Sequence, residues 1–176
     1  EVDPSYEDVA MQLVTRQAAR GELTEIQTDL ERILARAPEE SRVRTALAEC
    51  LMTQGKYADV LALFDDWLRE HPNDHEIAAN LALFRLRCPD DAFRRPQQGL
   101  MMLENLCADT GYKDCRLLFY LATAYTAAGR LDEAAAVADR ARAIAEEQGE
   151  QLLVPAIDAL LEQHAALRAQ PEQATP

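Results

Sequence analysis

Residues 41–74 read SRVRTALAECLMTQGKYADVLALFDDWLREHPND. Apolar side chains recur at three- and four-residue steps through Leu47, Ala48 and Leu51, then through Tyr57, Val60, Phe64, Trp67 and Leu68. That spacing lines one face of an α-helix. Gly55 interrupts the pattern and Pro72 ends it, so the stretch reads as two helices turning near Gly55. The same register returns on both sides. Leu13, Leu47 and Leu81 are 34 residues apart, and so are Gly21 and Gly55, Leu30 and Phe64, and Pro38 and Pro72. A fixed period of that length predicts a solenoid, in which each helix pair buries its apolar face by stacking on the next.

Working outward, Glu1–Ser5 is a short lead-in with Ser5 as a helix cap. Val9, Leu13 and Val14, then Leu23, Ile26, Leu30, Ile33 and Leu34, form the first pair around Gly21. The third pair departs from the period. Its first helix, about His75 to Arg87, stops at Cys88-Pro89, because proline breaks the backbone ladder and restricts the residue before it. A loop about five residues longer than the usual turn follows, and the second helix restarts near Pro96 with Leu100, Leu103 and Leu106. The fourth pair turns near Gly129. A final helix carries Leu153, Ile157, Leu160, Leu161 and Leu167 on one stripe and Asp158, Glu162 and Gln163 on the other, as a solenoid end requires. The expected organisation is thus a lead-in over 1–5 and a helical domain over 6–168, about nine helices in all. Its repeats span about 7–40, 41–74, 75–113 and 115–148, a capping helix covers 150–168, and a tail of disordered composition covers 169–176. Leu47, Leu51, Phe64, Trp67, Leu81, Leu103, Leu121 and Tyr125 are the expected core.

These positions resemble the tetratricopeptide repeat (TPR) family. Gln54-Gly55-Lys56-Tyr57 and Ala128-Gly129-Arg130-Leu131 match its turn, and Asp132-Glu133-Ala134 its second helix. The segments Cys88-Pro89-Asp90, Leu106-Cys107 to Thr110-Gly111-Tyr112-Lys113-Asp114, and Leu121-Ala122-Thr123-Ala124-Tyr125 are similar to a long-turn variant in some bacterial TPR proteins. The resemblance covers residues 7–148 and implies a right-handed all-α solenoid of four helix-turn-helix repeats. It also implies a non-catalytic interaction module, an adaptor or scaffold, that takes a protein, peptide or partner helix in a concave groove lined by the first helix of each pair. By register, that groove holds Met11, Gln12 and Thr15, then Arg42, Thr45, Glu49, Met52 and Thr53. Glu76, Ala79, Asn80, Leu83 and Arg87 follow, and finally Arg116, Phe119, Tyr120, Thr123 and Thr126. Thr45, Glu49, Asn80, Leu83, Arg87, Arg116, Phe119, Tyr120 and Thr123 are the expected partner-binding residues.

Some family members clamp a peptide's terminal carboxylate with Lys, Asn and Arg. Here Asn80 matches the middle Asn and Arg116 roughly matches a cation, but Thr45 and Glu49 replace the Lys and Asn, and Tyr120 replaces the final Arg. A carboxylate facing Glu49 is repelled, so the clamp is absent. Arg85, Arg87, Arg94 and Arg95 gather around the long turn with Phe84 and Phe93. Arg85, Arg94 and Arg95 make a secondary basic patch, read either as neutralising Asp90 and Asp91 or as a dock for an acidic partner.

Other chemistry is not indicated. A net charge of −13 argues against nucleic acid, whose phosphates attract basic surfaces. No apolar run approaches the ~20 residues of a bilayer-spanning helix. Cys50, Cys88, Cys107 and Cys115 lack zinc-type spacing and read as buried thiols, with Cys107 and Cys115 close enough to bond in an oxidising compartment. His71 and His75 straddle a turn and read as solvent-exposed. Asp65-Asp66 and Glu146-Glu147 read as solvated faces, no cofactor or metal is implied, and no catalytic residue stands out. The chain opens on Glu1, which motivates a second reading: a regulatory or targeting appendage of a larger enzyme, or the soluble part of a membrane-anchored bacterial protein.

Overall fold

The computed structural model describes residues 23–169. The lead-in, the helix expected around Leu13, the turn at Gly21, the groove residues Met11, Gln12 and Thr15, and the tail beyond residue 169 lie outside the described residues. Eight helices and no strand occur among those described: α1 (Leu23–Arg36), α2 (Ser41–Thr53), α3 (Tyr57–Glu70), α4 (His75–Arg87), α5 (Pro96–Asp109), α6 (Cys115–Ala127), α7 (Leu131–Gln148) and α8 (Val154–Ala169). The chain divides into two compact units at Leu81/Ala82, within α4.

In the first unit, Ile26 and Leu30 of α1, Val43, Leu47 and Leu51 of α2, and Val60, Phe64 and Trp67 of α3 are buried, with Ile77 and Leu81 of α4. Helix α2 ends in a Schellman cap. Gly55 takes the left-handed conformation (φ +73°), its N–H bonds Met52 O at 3.0 Å, and the Lys56 N–H returns to Leu51 O at 2.9 Å. Glycine occupies that φ without the steric cost of a Cβ. Helix α3 starts at the next residue, Tyr57.

A polar joint holds the far end of α3. The Asp74 carboxylate accepts from the Ile77 N–H (3.0 Å), the Trp67 indole N–H (2.8 Å) and the Ser41 hydroxyl (3.0 Å). Burial alone would raise its pKa, but these hydrogen bonds outweigh burial and hold the carboxyl below its ordinary value. The Arg44 guanidinium lies 3.9 Å from the Trp67 ring centroid and donates to Pro38 O at 2.7 Å. His71 stacks on Trp67 at 3.7 Å between centroids. His71 is therefore half-buried rather than solvent-exposed, because stacking on an indole takes one face of its ring out of water, and His75 is half-buried too.

The second unit buries Phe84 and Leu86 of α4, Leu103 and Leu106 of α5, and Leu117, Leu118 and Leu121 of α6. A seam of alanines, Ala134, Ala138, Ala141 and Ala145, runs along α7, and Ile157, Leu160 and His164 of α8 complete the core. Gly129 (φ +74°) closes α6 as Gly55 closes α2, with Arg130 N–H to Tyr125 O at 2.9 Å. Tyr125, expected in the core, is half-buried. Its hydroxyl reaches Glu104 at 2.9 Å and Arg130 lies over its ring at 4.3 Å, so the polar end stays at the rim.

The long turn after α4 closes differently. The Arg95 N–H bonds Arg85 O at 2.7 Å, so the chain comes back to the third-last residue of α4 ten positions later. In the tight turns the corresponding pairs, Leu51/Lys56 and Tyr125/Arg130, are five positions apart. The difference is the five-residue insertion. Within α5, Gly99 lies so close to α4 that a Cβ there would meet Ala82 O at 2.6 Å and the Leu86 Cγ at 2.8 Å.

Two expectations fail at the carboxyl end. The last helix begins at Val154 rather than Glu150, because Gly149 (φ +76°) caps α7 and residues 151–153 form a turn. Leu167 is exposed, and the buried stripe continues from Ile157 and Leu160 through His164 instead.

Candidate functional site

In the first unit, Thr45 and Glu49 stand one turn apart on α2, and Asn80 comes from α4. The Thr45 hydroxyl donates to Ser41 O (3.1 Å), the usual arrangement for Thr inside a helix, and so accepts from Asn80 Nδ2 at 2.9 Å. The geometry thus fixes the Asn80 amide, with Nδ2 committed to Thr45 and Oδ1 on the other side. Glu49 is half-buried, and burial pushes its carboxyl above the ordinary value. Ala79, expected in the groove, is instead buried as part of the core.

In the second unit, Phe119 and Tyr120 of α6 are half-buried with ring centroids 6.0 Å apart and planes tilted by 49°. Leu117, Leu118 and Leu121 of the same helix are buried, whereas Phe119 and Tyr120 are only partly covered. Arg116 and Arg87 are exposed, Leu83 is half-buried, and Thr123 donates to Phe119 O at 2.8 Å. Asp114 caps α6, accepting from the Arg116 N–H (2.9 Å) and the Leu117 N–H (3.0 Å).

The arginines of the long turn have local partners. Arg94 pairs with Asp91, Arg95 donates to the carbonyls of Asp91 (2.9 Å) and Arg94 (2.7 Å), and Arg85 contacts Gln98 at 3.4 Å. This favours the neutralising role for Arg94, while Arg95 is engaged by main-chain carbonyls of the turn. Nearby, Leu86, Arg94, Pro96, Gln97, Leu100, Ala124, Ala127 and Ala128 line an open cleft of about 380 Å³.

Two buried polar residues carry no sequence signal for their placement. Arg44 of α2 is 8% exposed, and burial lowers its pKa. His164 is 1% exposed; its Nε2 lies 2.6 Å from the Thr126 hydroxyl, which also donates to Ala122 O, so Nε2 carries the proton. That bond draws Thr126, another expected groove residue, toward α8.

The four cysteines are free and buried, and burial, reinforced by Asp114, pushes the Cys107 thiol up to about 12. Among the described residues, no group of three or more His, Cys, Asp or Glu side chains could hold a metal ion. No helix among them is long and apolar enough to cross a membrane.

Helix pairs closed by capped turns, with polar and aromatic side chains on the first helix of each pair, define a repeat protein of the helix-turn-helix kind. The chain belongs to the tetratricopeptide repeat family: models of that repeat match residues 17–83 and 92–148, together well over half its length. A thermophilic TPR protein from Thermus thermophilus is similar in structure, with a TM-score of 0.66, 19% identity, and coverage of 93% of this chain and 83% of that one. That likeness shows the fold, which is all-α and TPR-like. MamA from Desulfovibrio magneticus RS-1, residues 41 to the end, aligns at 16% identity over 96% of this chain and 97% of that chain. The TM-score of that pair is 0.49. No curated protein matches the sequence. TPR repeats generally mediate protein–protein interaction, and proteins of this fold are typically non-catalytic.

Proposed function

We propose that this protein is an adaptor or assembly scaffold that holds a peptide or partner helix on the first helices of its repeats. The observation that carries this reading is the Phe119–Tyr120 pair on α6, beside the exposed Arg116. Large aromatics with an accessible edge supply much of the energy at protein interfaces, and arginine is the cation most often found with them. The bound segment is one with apolar side chains and an acidic residue for Arg116 or Arg87, rather than a bare terminal carboxylate. By register, Tyr120 stands where a clamp needs a cation.

Proteins captured from a lysate of the source cells and identified by mass spectrometry can be titrated individually against parent and variant. Replacing Tyr120 and Arg116 together by Ala is expected to weaken the partner's binding by ~2 kcal/mol or more, with the melting temperature nearly unchanged. A partner that binds the double variant as tightly as the parent shows that this face is not the site.

A further inference from the structure

Glu49 is a side chain of the first unit that packing leaves without a partner. Its carboxylate is half-buried on α2, and among the described residues no cation pairs with it and no donor hydrogen-bonds to it. A half-buried carboxylate that keeps contact with water and has no partner is an open, charged acceptor at the surface of the fold. Asp74, a half-buried acid of the same unit, is by contrast met by three donors. One turn before Glu49, the Thr45 hydroxyl has spent its proton on Ser41 O and its lone pair on the Asn80 amide. The side-chain oxygen of Asn80 then remains as an acceptor. This face therefore presents two acceptors, one of them charged, with no donor bonded to either among the described residues.

We infer that Glu49, with Asn80 Oδ1 as a second acceptor, receives a lysine or arginine side chain of a partner segment laid along α2. The inference rests on the proposed binding role and adds the partner's chemistry to it. An ammonium or guanidinium group supplies the charge and the several donors that this pair of acceptors lacks. The net charge of −13 also favours encounter with a basic segment. The Asn80 orientation runs against a carboxylate ligand, which would need donors at this point.

The test uses the full chain, immobilised, and a pool of acetylated and amidated random decapeptides, so that no terminal charge contributes. The parent is expected to enrich Lys or Arg at one position about tenfold over the pool, the preference a single well-placed ion pair gives. Glu49→Gln is expected to abolish that enrichment while retaining other selected positions, and Glu49→Lys to replace it with Asp or Glu. Glu49→Gln is also expected to melt no lower than the parent, since it removes an uncompensated charge. Peptides retained without a Lys or Arg preference, or with one that survives Glu49→Gln, overturn this inference and leave the binding role standing. A melting temperature several degrees lower for Glu49→Gln assigns the residue to the fold and overturns it too. Retention of no peptide by the parent overturns both.

Discussion

The hairpin α6–α7 and the turn from α4 into α5 put glycine to opposite uses. At Gly129 the residue is needed for its backbone: φ is +74°, and a Cβ would meet nothing within 4 Å. At Gly99 the backbone is helical and the residue is needed for its size, since a Cβ would press on Ala82 O and Leu86. In the tight turn, the glycine lets the chain reverse at once. In the long turn the reversal is spread over Cys88–Arg95, the glycine has left the turn, and it lets α5 sit against the last two turns of α4. The same residue type thus secures direction in one place and distance in the other.

Substitutions separate these uses. The largest effect is expected at Gly99. Gly99→Ala inserts a methyl group against backbone and should cost about 2–3 kcal/mol, the upper part of the range for overpacking, read as a lower midpoint in urea unfolding. A cost under about 0.5 kcal/mol would mean that α4 and α5 separate easily.

A second effect concerns how first helices begin. Asp74 and Asp114 precede α4 and α6, but Asp114 only caps, whereas Asp74 also takes bonds from Trp67 and Ser41. Asp74→Ala should cost about 2 kcal/mol and Asp114→Ala about 1 kcal/mol at neutral pH. The folded-state pKa of Asp74 is depressed, so its contribution is present above the unfolded value of about 4 and is lost as pH falls through the folded value. The gap between parent and Asp74→Ala should therefore narrow below pH ~4, and unfolding curves between pH 7 and 2.5 check it. A gap that stays constant over that range would assign the effect to packing.

The smallest effect belongs to Gly129→Ala, about 1 kcal/mol from the left-handed backbone alone. Gly129→Asn should cost less, because Asn tolerates that region. Equal costs for Ala and Asn would point to space rather than φ, and the contrast with Gly99 would collapse.

Much of this architecture is legible before any coordinates. Gly55 and Gly129 announce the tight turns, Pro96 announces the start of α5, and the apolar steps of α2 and α3 pick out Leu47, Ala48, Leu51, Val60, Phe64 and Trp67 but not the equally buried Val43, Ala46 and Cys50. The long turn's length is legible too, but not its closure, because an N–H to C=O bond between Arg95 and Arg85 uses atoms that every residue has. Arg44 and His164 were illegible for another reason. Both are polar residues whose burial depends on a partner far along the chain, Trp67 for one and Thr126 for the other. The candidate binding residues could be placed by register, but which of them are already engaged with a neighbour could not. Ala79 and Thr126 are held inward by packing and by a hydrogen bond that periodicity does not encode.

The bond from Arg95 to Arg85 acts as a clasp that does not depend on what lies between its two ends. Lys56 and Arg130 make the same clasp after five residues, Arg95 after ten. The exposed residues Pro89, Asp90, Asp91 and Ala92 are consequently a natural graft point: a tag, an epitope or a fluorescent reporter inserted there would leave the helices on either side joined by the bond they already share.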